Sequence, residues 1–426
     1  MERRPATLSV VIPAFDEEAA IADIVARVLA LRPQLVQHGI VGPEVIVVDD
    51  GSRDRTGEIA QRVDGVQVIR HRENRGYGAA LKTGLARAHG DLVAFLDADG
   101  TYPPEAFPQL CEAALNGADV VIGSRMTTAR NDAPDGVPSG VPSGAPSGMP
   151  ATRRLGNRLF AALVTLLGDR RVRDCASGMR VIRRSALARL YPLPDGLNFT
   201  PIMSLRAMHE GLTLIEIPIP YGERIGQSKL NVPHDGLRYV RSILWTALSY
   251  NPVRVFGILG ITGVGGAALI GCGLVIARWR GITTLGPWGV AAIFAALVAG
   301  VAGVSVFNLG VMFNYLVALI RKQPVRLGLF GRPIFDPPLE HHFGWMGLGI
   351  GGAGVLLACV TLVLGVNGWE IARLWLYLGG SALFILVGVQ LVLSWVLMRT
   401  LDDLSQREIR GRTDLLGGES SERSLE

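Results

Sequence analysis

Cysteine is scarce in this chain of 426 residues, which has four, at positions 111, 175, 272 and 359, and no Cys-x-x-Cys pair. This spacing argues against a disulfide framework and against a zinc site. Charged residues are also few, at 19%, and the net charge is only +5 at pH 7. So small and scattered a charge argues against a nucleic-acid partner but suits a surface of anionic lipid or phosphate. Hydrophobic residues make up 49%, which excludes a disordered chain.

Charged residues are missing from four long stretches that all follow Arg254: residues 255–277, 281–320, 343–367 and 374–398. About 20 apolar residues are enough to cross the hydrocarbon core of a bilayer. Each stretch exceeds that length, so the sequence predicts four transmembrane helices, the second of which begins near Trp288. Buried core helices are the alternative, although such helices are rarely so long and so free of charge.

Charges between these stretches predict their orientation. Basic residues are enriched in the loop after the second stretch and in the tail after the fourth: Arg321, Lys322, Arg326 and Arg332, then Arg399, Arg407, Arg410 and Arg412. The other two loops carry fewer, Arg278, Arg280 and Arg373. Because cytoplasmic loops are richer in Lys and Arg, we expect the soluble part and the C-terminus on the cytoplasmic side of the plasma membrane. A strand begins near residue 8, so no signal peptide is expected.

The soluble part alternates strands and helices. Short apolar runs at residues 8–12, 45–48, 66–70, 92–96 and 120–122 predict strands, and the segments between several of them have helical spacing. Continuous apolar strands separated by helices predict a doubly covered, mostly parallel sheet. Ligands of such sheets bind beyond the carboxyl ends of the strands. The acidic residues at 49–50 and 97–99 and the segment 123–125 fall there.

The chain is predicted to divide into a domain of residues 1–230, amphipathic interface helices at 231–254, the membrane helices at 255–400 and a cytoplasmic tail at 401–426. Residues 127–152 contain three tandem x-Pro-Ser-Gly units, which predict a flexible insertion that packs no core. We expect it to be inert; a lid is the alternative. Apolar and basic residues alternate at helical spacing after residue 236, as in a helix lying in the membrane interface.

Asp97 and Asp99 follow a buried strand and are one residue apart, so their side chains lean to the same side. Two such carboxylates suit a hard divalent cation that bridges phosphate oxygens. An acidic turn facing water is the alternative.

Two further groups of residues could bind a nucleotide. Asp49 and Asp50 could accept hydrogen bonds from a base or a ribose, or could belong to an ordinary strand-to-helix turn capped by Ser52 or Asp54. Lys82 follows a Gly-Tyr-Gly sequence that is similar to a phosphate loop, although it could equally be a solvated helix residue.

Basic residues gather in the second half of the soluble part, notably Arg125, Arg153, Arg154, Arg224 and Lys229. The segment Arg224-Ile-Gly-Gln-Ser-Lys229 combines two cations with the hydroxyl of Ser228, which is a suitable set of donors for a phosphate. A solvated basic face is the alternative for most of these residues.

Seven short motifs follow one another along the soluble part: Ile12-Pro-Ala-Phe-Asp-Glu17, Val48-Asp-Asp-Gly-Ser52, Asn74-Arg-Gly-Tyr-Gly78, Asp97-Ala-Asp99, Gly123-Ser-Arg125, Ser177-Gly-Met-Arg180 and Arg224-Ile-Gly-Gln-Ser-Lys229. In this order they resemble family 2 glycosyltransferases of the polyprenyl-phosphate sugar synthase group, such as the dolichyl-phosphate mannose and glucose synthases. The resemblance covers about residues 7–250. This chain has Thr101 where mannose synthases often carry Gln, which leaves the sugar open.

The resemblance implies a GT-A-type fold and inverting transfer of a hexose, mannose or glucose, from a GDP- or UDP-hexose to a polyprenyl phosphate. It implies Mg²⁺ or Mn²⁺ held by Asp97 and Asp99, and catalytic roles for Asp99, Arg125 and Arg224. The nucleotide sugar would be bound by Pro13, Ala14, Glu17, Asp49, Asp50, Lys82 and Asp97. The lipid phosphate would be bound by Arg125, Arg153, Arg154, Arg224, Ser228 and Lys229.

Three other functions remain as alternatives. A processive polysaccharide synthase of the membrane would be expected to carry a Gln-x-x-Arg-Trp motif, which this sequence lacks. A lipid flippase or transporter needs a polar path, which uncharged spans do not offer. A nucleotide-binding regulator would not need both Asp97 and Asp99. Membrane lipid is an expected partner in each case, and the oligomeric state, a homo-oligomer included, stays open.

Overall fold

The computed structural model describes residues 5–126, 151–168, 170–222, 224–225, 232–321, 339–370 and 373–422. The chain forms two compact units, Met1–Thr246 and Ala247–Glu426. The predicted insertion at 127–152 lies outside the described residues, except that Ala151 and Thr152 begin a helix. Ser228 and Lys229 also lie outside them.

The first unit is built on a seven-stranded sheet. Its strands are β1 (Ala6–Ala14), β2 (Ile40–Asp49), β3 (Val66–Arg70), β4 (Leu92–Phe95), β5 (Val120–Ser124), β6 (Arg180–Arg183) and β7 (Leu214–Pro218). Their order across the sheet is β3-β2-β1-β4-β6-β5-β7. Strands β1 to β4 pair in parallel, as does β5 with β7, so the prediction of a mostly parallel sheet is confirmed.

Helices accompany the strands, and most of them pack against the sheet. They are α1 (Ile21–Ala30), α2 (Arg32–Gln37), α3 (Thr56–Gln61), α4 (Tyr77–Arg87), α5 (Phe107–Leu115), α6 (Ala151–Leu167), α7 (Arg184–Leu190), α8 (Phe199–His209) and α9 (Val232–Tyr250). Helix α1 shows how they bind to the core, because its buried residues recur at helical spacing: Ile21, Ile24, Val25 and Val28. The central strands carry continuous buried apolar runs, at residues 10–12, 45–48 and 92–95, as expected of a sheet covered on both faces.

The sequence did not predict β6 or β7, and β6 is the one that departs from the parallel arrangement. It runs antiparallel to both of its neighbours, β4 and β5. An antiparallel strand begins at the edge where its parallel neighbours end. The start of β6 and the residues just before it therefore lie at the carboxyl edge of the sheet, where ligands were expected.

The second unit contains four helices long and apolar enough to cross a membrane: α10 (Pro252–Trp279), α11 (Pro287–Arg321), α12 (Phe343–Val366) and α13 (Trp375–Glu422). They coincide with the four predicted spans. Helix α13 continues to Glu422, so most of the predicted tail at 401–426 is helical. Trp279 and Trp288, at the facing ends of α10 and α11, are 90% and 89% exposed, as expected of side chains in a membrane–water interface.

Gly84 tests how closely α4 packs on the sheet. A Cβ atom at this position would collide with the Val11 side chain of β1, so we expect Gly84→Ala to cost about 1–3 kcal/mol through overpacking. Gly156 is the matched control, because a Cβ atom there meets nothing within 4 Å, and Gly156→Ala should stabilise its helix by up to about 1 kcal/mol. Thermal unfolding of the full chain in detergent compares the two. A higher midpoint for Gly84→Ala would contradict this packing.

Candidate active site

Four parallel strands of the first unit end at one edge of the sheet, and most of the predicted site residues follow those ends. Pro13 and Ala14 close β1, and Asp49 closes β2. Asp97 follows β4, and Arg125 follows β5. The topology thus brings together residues that are more than 100 positions apart in the chain.

Asp97 is half-buried in this edge. Its Oδ1 accepts a hydrogen bond of 2.7 Å from the hydroxyl of Tyr77. Gly178 packs directly on the carboxylate, because a Cβ atom at that position would collide with both oxygens. Desolvation, and then the charge of Asp99, raise the pKa of Asp97 to about 7, although the Tyr77 hydrogen bond and two nearby guanidinium charges oppose the rise.

Asp99 is buried, and both of its oxygens are engaged. Oδ1 accepts hydrogen bonds from the backbone N–H of Thr101 at 3.1 Å and from its hydroxyl at 2.6 Å. Oδ2 lies 3.1 Å from Nη1 of Arg224. The other end of this guanidinium lies 3.5 Å from Oε1 of Glu17. Arg224, predicted on the acceptor side, therefore contacts one residue predicted for the metal and one predicted for the nucleoside.

Arg125 is held by a partner that the sequence did not reveal, Asp174. Its Nε and Nη2 each donate a hydrogen bond of 2.8 Å to one oxygen of that carboxylate, and its backbone N–H donates a third at 2.9 Å. The guanidinium also lies 5.3 Å from the ring centre of Tyr102. Burial opposes the charge of Arg125, but Asp174 outweighs it and the pKa of Arg125 is raised further. The pair fixes the guanidinium in one orientation.

Asp49 and Asp50 are buried at the end of β2. Oδ1 of Asp49 accepts the N–H of Ser52, and Oδ2 lies 3.2 Å from Nε of Arg70. The Asp50 carboxylate lies 2.6 Å from the His71 ring and accepts two backbone N–H groups, those of residues 75 and 76. Asp50 thus orders the segment 71–76, and its direct contact with a nucleoside stays a prediction.

Lys82 lies elsewhere. Its ammonium pairs with the Asp195 carboxylate and donates to the Leu193 carbonyl. Gly76 and Gly78, which suggested a phosphate loop, are needed because the backbone of residues 194–195 passes too close for a Cβ atom. The structure therefore explains these glycines by chain packing, and the role of Lys82 in donor binding stays a prediction.

Two of the predicted lipid-phosphate residues lie on α6. Arg154 is half-buried there, and the side chain of Arg153 is outside the described residues. Sequence reasoning missed Tyr77, Tyr102, Asp174 and Gly178. Tyr77 and Gly178 lie inside two of the seven sequence motifs, which could have drawn attention to them. Asp174 lies in none of the motifs, and its role depends on Arg125, 49 residues earlier in the chain.

The two aspartates fit a divalent metal ion. Burial, and then the charge of Asp99, raise the pKa of Asp97, and a cation bound to the two carboxylates would oppose both effects. Within the described part of the chain, no group of three or more His, Cys, Asp or Glu side chains gathers. Two carboxylates are typical of Mg²⁺ or Mn²⁺ sites in which phosphate oxygens and water complete the coordination of the ion.

Parts of this sequence are similar to known proteins. Residues 9–191 match Glycosyl transferase family 2, and residues 252–412 match a domain of unknown function (DUF8752). A dolichyl-phosphate hexose transferase of Haloferax volcanii is 32% identical over 57% of this chain and 94% of that protein. An undecaprenyl-phosphate 4-deoxy-4-formamido-L-arabinose transferase of Edwardsiella ictaluri is 31% identical over 77% of this chain and 88% of that protein.

A solved structure is also similar. Glucosyl-3-phosphoglycerate synthase from Mycobacterium tuberculosis, in complex with Mn²⁺, UDP and phosphoglyceric acid, is 25% identical over 57% of this chain and 78% of that chain, with a TM-score of 0.42.

Asp174→Ala tests the buried pair. The change leaves the Arg125 guanidinium buried without its partner, so we expect the free energy of unfolding to fall by about 3–5 kcal/mol. Asp23→Ala is the control, since it removes an exposed ion pair with Arg27 and should cost less than about 1 kcal/mol. Urea unfolding of the full chain in detergent measures both, and equal losses would refute the role of the pair.

The same pair predicts a pH dependence. Burial raises the pKa of Asp174, but Arg125 and several hydrogen bonds outweigh burial and lower it. A carboxylate with a lowered pKa stabilises the fold above its ordinary pKa and loses that contribution as the pH falls. The stability difference between the wild type and Asp174→Ala should therefore shrink below about pH 4.

Proposed function

This chain belongs to Glycosyl transferase family 2, among the polyprenyl-phosphate glycosyltransferases, and we propose that it transfers a hexose from a nucleotide sugar to a polyprenyl phosphate with inversion at the anomeric carbon. Its first unit has the GT-A-like mixed sheet of seven strands. One observation carries the proposal: two carboxylates, Asp97 and Asp99, meet two guanidinium groups, Arg125 and Arg224, at one edge of that sheet.

The donor is proposed to bind on the β1–β2 side of the edge. The closing residues of these strands, Pro13 and Ala14, lie in register with Val48 and Asp49. Glu17 is anchored there, because its N–H donates to the Thr56 hydroxyl at 2.8 Å. We propose that these residues, with Asp50, surround the nucleoside of a GDP- or UDP-hexose, and that Asp97 and Asp99 hold the metal beside its diphosphate.

The acceptor phosphate is proposed to bind between Arg125 and Arg224, with the 153–154 pair, Ser228 and Lys229 as further donors. Nε and Nη2 of Arg125 bind Asp174, and Nη1 is the atom proposed to contact the phosphate. A guanidinium presents donors in a plane that matches two phosphate oxygens.

The reaction needs no general base. A phosphate monoester has a second pKa near about 6, so the acceptor is mostly dianionic at pH 7 and can attack the anomeric carbon itself. The bond from that carbon to the nucleoside diphosphate breaks as the new bond forms on the opposite face. A divalent cation bound by Asp97 and Asp99 would neutralise the leaving diphosphate. Arg125 and Arg224 orient the attacking phosphate and offset its charge beside the donor.

We propose that the acceptor is embedded in membrane lipid. Helix α9 ends one residue before α10, the first candidate span. It exposes 73% of Leu237 and 64% of Trp245, next to the exposed charges of Arg238 and Arg241. Such a face suits the interface of an anionic bilayer. With the basic loops as described, we place the catalytic unit and the C-terminus on the cytoplasmic side.

A transfer assay tests the function. Purified full-length protein is incubated with radiolabelled GDP-mannose, GDP-glucose, UDP-glucose or UDP-galactose, Mg²⁺ or Mn²⁺ and undecaprenyl phosphate. We expect label from at least one donor to enter the organic phase as a lipid-linked sugar. Nucleotide binding without any lipid-linked product would favour a regulator instead.

Asp99→Asn tests the proposed metal site. It removes the charge and keeps the shape, so we expect transfer to fall more than about a hundred-fold, because a metal is worth several kcal/mol of charge stabilisation. EDTA should abolish wild-type transfer in the same way. Asp64→Asn, an exposed change away from the site, should leave the rate unchanged. Full transfer by Asp99→Asn in EDTA would eliminate the metal role.

Arg224→Ala tests the acceptor side. Losing a charge-assisted phosphate contact should lower the catalytic efficiency with lipid phosphate about ten- to a hundred-fold, while donor affinity changes much less. Arg224→Lys should not rescue fully, since an ammonium cannot make the planar contact. Calorimetry of the donor and rates against lipid concentration separate the two, with exposed Arg87→Ala as the control. Weaker donor binding with unchanged lipid dependence would place Arg224 on the donor side.

A further inference from the structure

Arg180, the first residue of β6, has the largest fully buried side chain in the described part of the chain, with 0% exposure. Among the described residues, no carboxylate lies within ion-pair distance of its guanidinium. Burial lowers the pKa of Arg180 to about 10, which still leaves it charged at neutral pH. A buried cation without a counter-ion is costly, so its presence needs an explanation beyond packing.

The guanidinium of Arg180 holds the loop that precedes its own strand. Nε donates a hydrogen bond of 3.2 Å to the carbonyl of Ser177, and Nη2 donates one of 2.7 Å to the carbonyl of Cys175. Nη1 has no hydrogen-bond partner. We name residues 174–178 the clasp loop. The backbone of Arg180 lies just after this loop and is fixed in the sheet, because it pairs with Phe95 of β4 on one side and with Ile122 of β5 on the other.

The clasp loop contacts the acceptor side of the proposed site at its first residue. Asp174 accepts hydrogen bonds from Nε and Nη2 of Arg125, one on each of its carboxylate oxygens. Ser177 binds the loop to β5, the strand that precedes Arg125, because its hydroxyl donates a hydrogen bond of 2.5 Å to the carbonyl of Gly123.

The last residue of the clasp loop contacts the metal side. Gly178 packs directly on the Asp97 carboxylate. Its N–H also donates a hydrogen bond of 2.7 Å to the hydroxyl of Tyr102, whose ring lies beside the Arg125 guanidinium. One loop of five residues therefore fixes the residues proposed for both substrates.

We propose that Arg180 is a positioning residue that sets the place of both substrates at once, by holding the clasp loop between Asp97 and Arg125. This inference rests on the proposed function. Its distinguishing consequence is a paired effect: weakening Arg180 must impair donor binding and acceptor use together, although the guanidinium belongs to neither group of binding residues.

Arg180→Lys is the test variant, because it keeps a positive charge and can reach only one of the two carbonyls. Arg183→Lys is the matched control. Arg183 closes the same strand, and its guanidinium also donates to two backbone carbonyls, those of Ala114 and Leu115, at the end of α5 and away from the site.

Two affinities are measured on the full-length protein in detergent. Calorimetry with GDP and UDP, each with Mn²⁺, gives the dissociation constant of the nucleotide, and its stoichiometry reports the folded fraction. Transfer rates against undecaprenyl phosphate concentration, normalised to that fraction, give the KM of the acceptor. We expect Arg180→Lys to raise both constants about ten-fold, and Arg183→Lys to change neither by more than about two-fold.

A loss of folded protein alone would change the stoichiometry and leave both constants in place, which would overturn the inference. A change in only one constant would overturn it too. If Arg180→Lys does not fold, Ser177→Ala replaces it, since this change releases the loop from Gly123, and the same paired rise is expected. Wild-type protein that neither binds nucleotide nor transfers sugar would instead overturn the proposed function.

Discussion

The site depends on one antiparallel strand. Because β6 runs against its neighbours β4 and β5, it begins at the edge where they end. The loop before β6 therefore enters the space between Asp97, which follows β4, and Arg125, which follows β5. Without this reversal, the gap between β4 and β5 would be filled by a strand end, and Asp174 would lie at the opposite edge of the sheet.

Charge neutrality is the second constraint on this edge. Asp174 is matched by Arg125, and Asp99 is matched by Arg224. Asp97 alone lacks a cation at ion-pair distance among the described residues, and burial together with the charge of Asp99 raises its pKa. An edge balanced in this way does not repel an anion as a purely acidic cluster would, and the unmatched carboxylate is the one that suits a metal ion brought in with a diphosphate.

Local signals in the sequence were enough for β1 to β5 and for the four membrane spans, because continuous apolar runs depend on burial alone. They were not enough for β6 or β7. The four residues of β6, Arg-Val-Ile-Arg, have charged ends, and its first arginine is buried between two strands from an earlier part of the chain. The site followed the same division. Asp97 and Asp99 could be found from one strand end, whereas Asp174 could be found only from the pairing of β6. Gly76 and Gly78 show the limit of such a motif, because a Gly-x-Gly pattern can serve close chain packing as well as phosphate binding.

The two units are stabilised by different interactions. The first buries aliphatic side chains from water, which is the ordinary hydrophobic driving force. The second has no such force between its helices within a bilayer, where lipid is as apolar as leucine. Its helices instead approach closely at glycines, as Gly303 does on Gly260 and Gly388 on Gly351, and a hydrogen bond of 2.7 Å joins Gln390 to Ser305. Close backbone packing at small residues is typical of helices that associate within a membrane. The positions of the reacting groups are then set within the sheet edge of the first unit, where Arg180 and the clasp loop hold them.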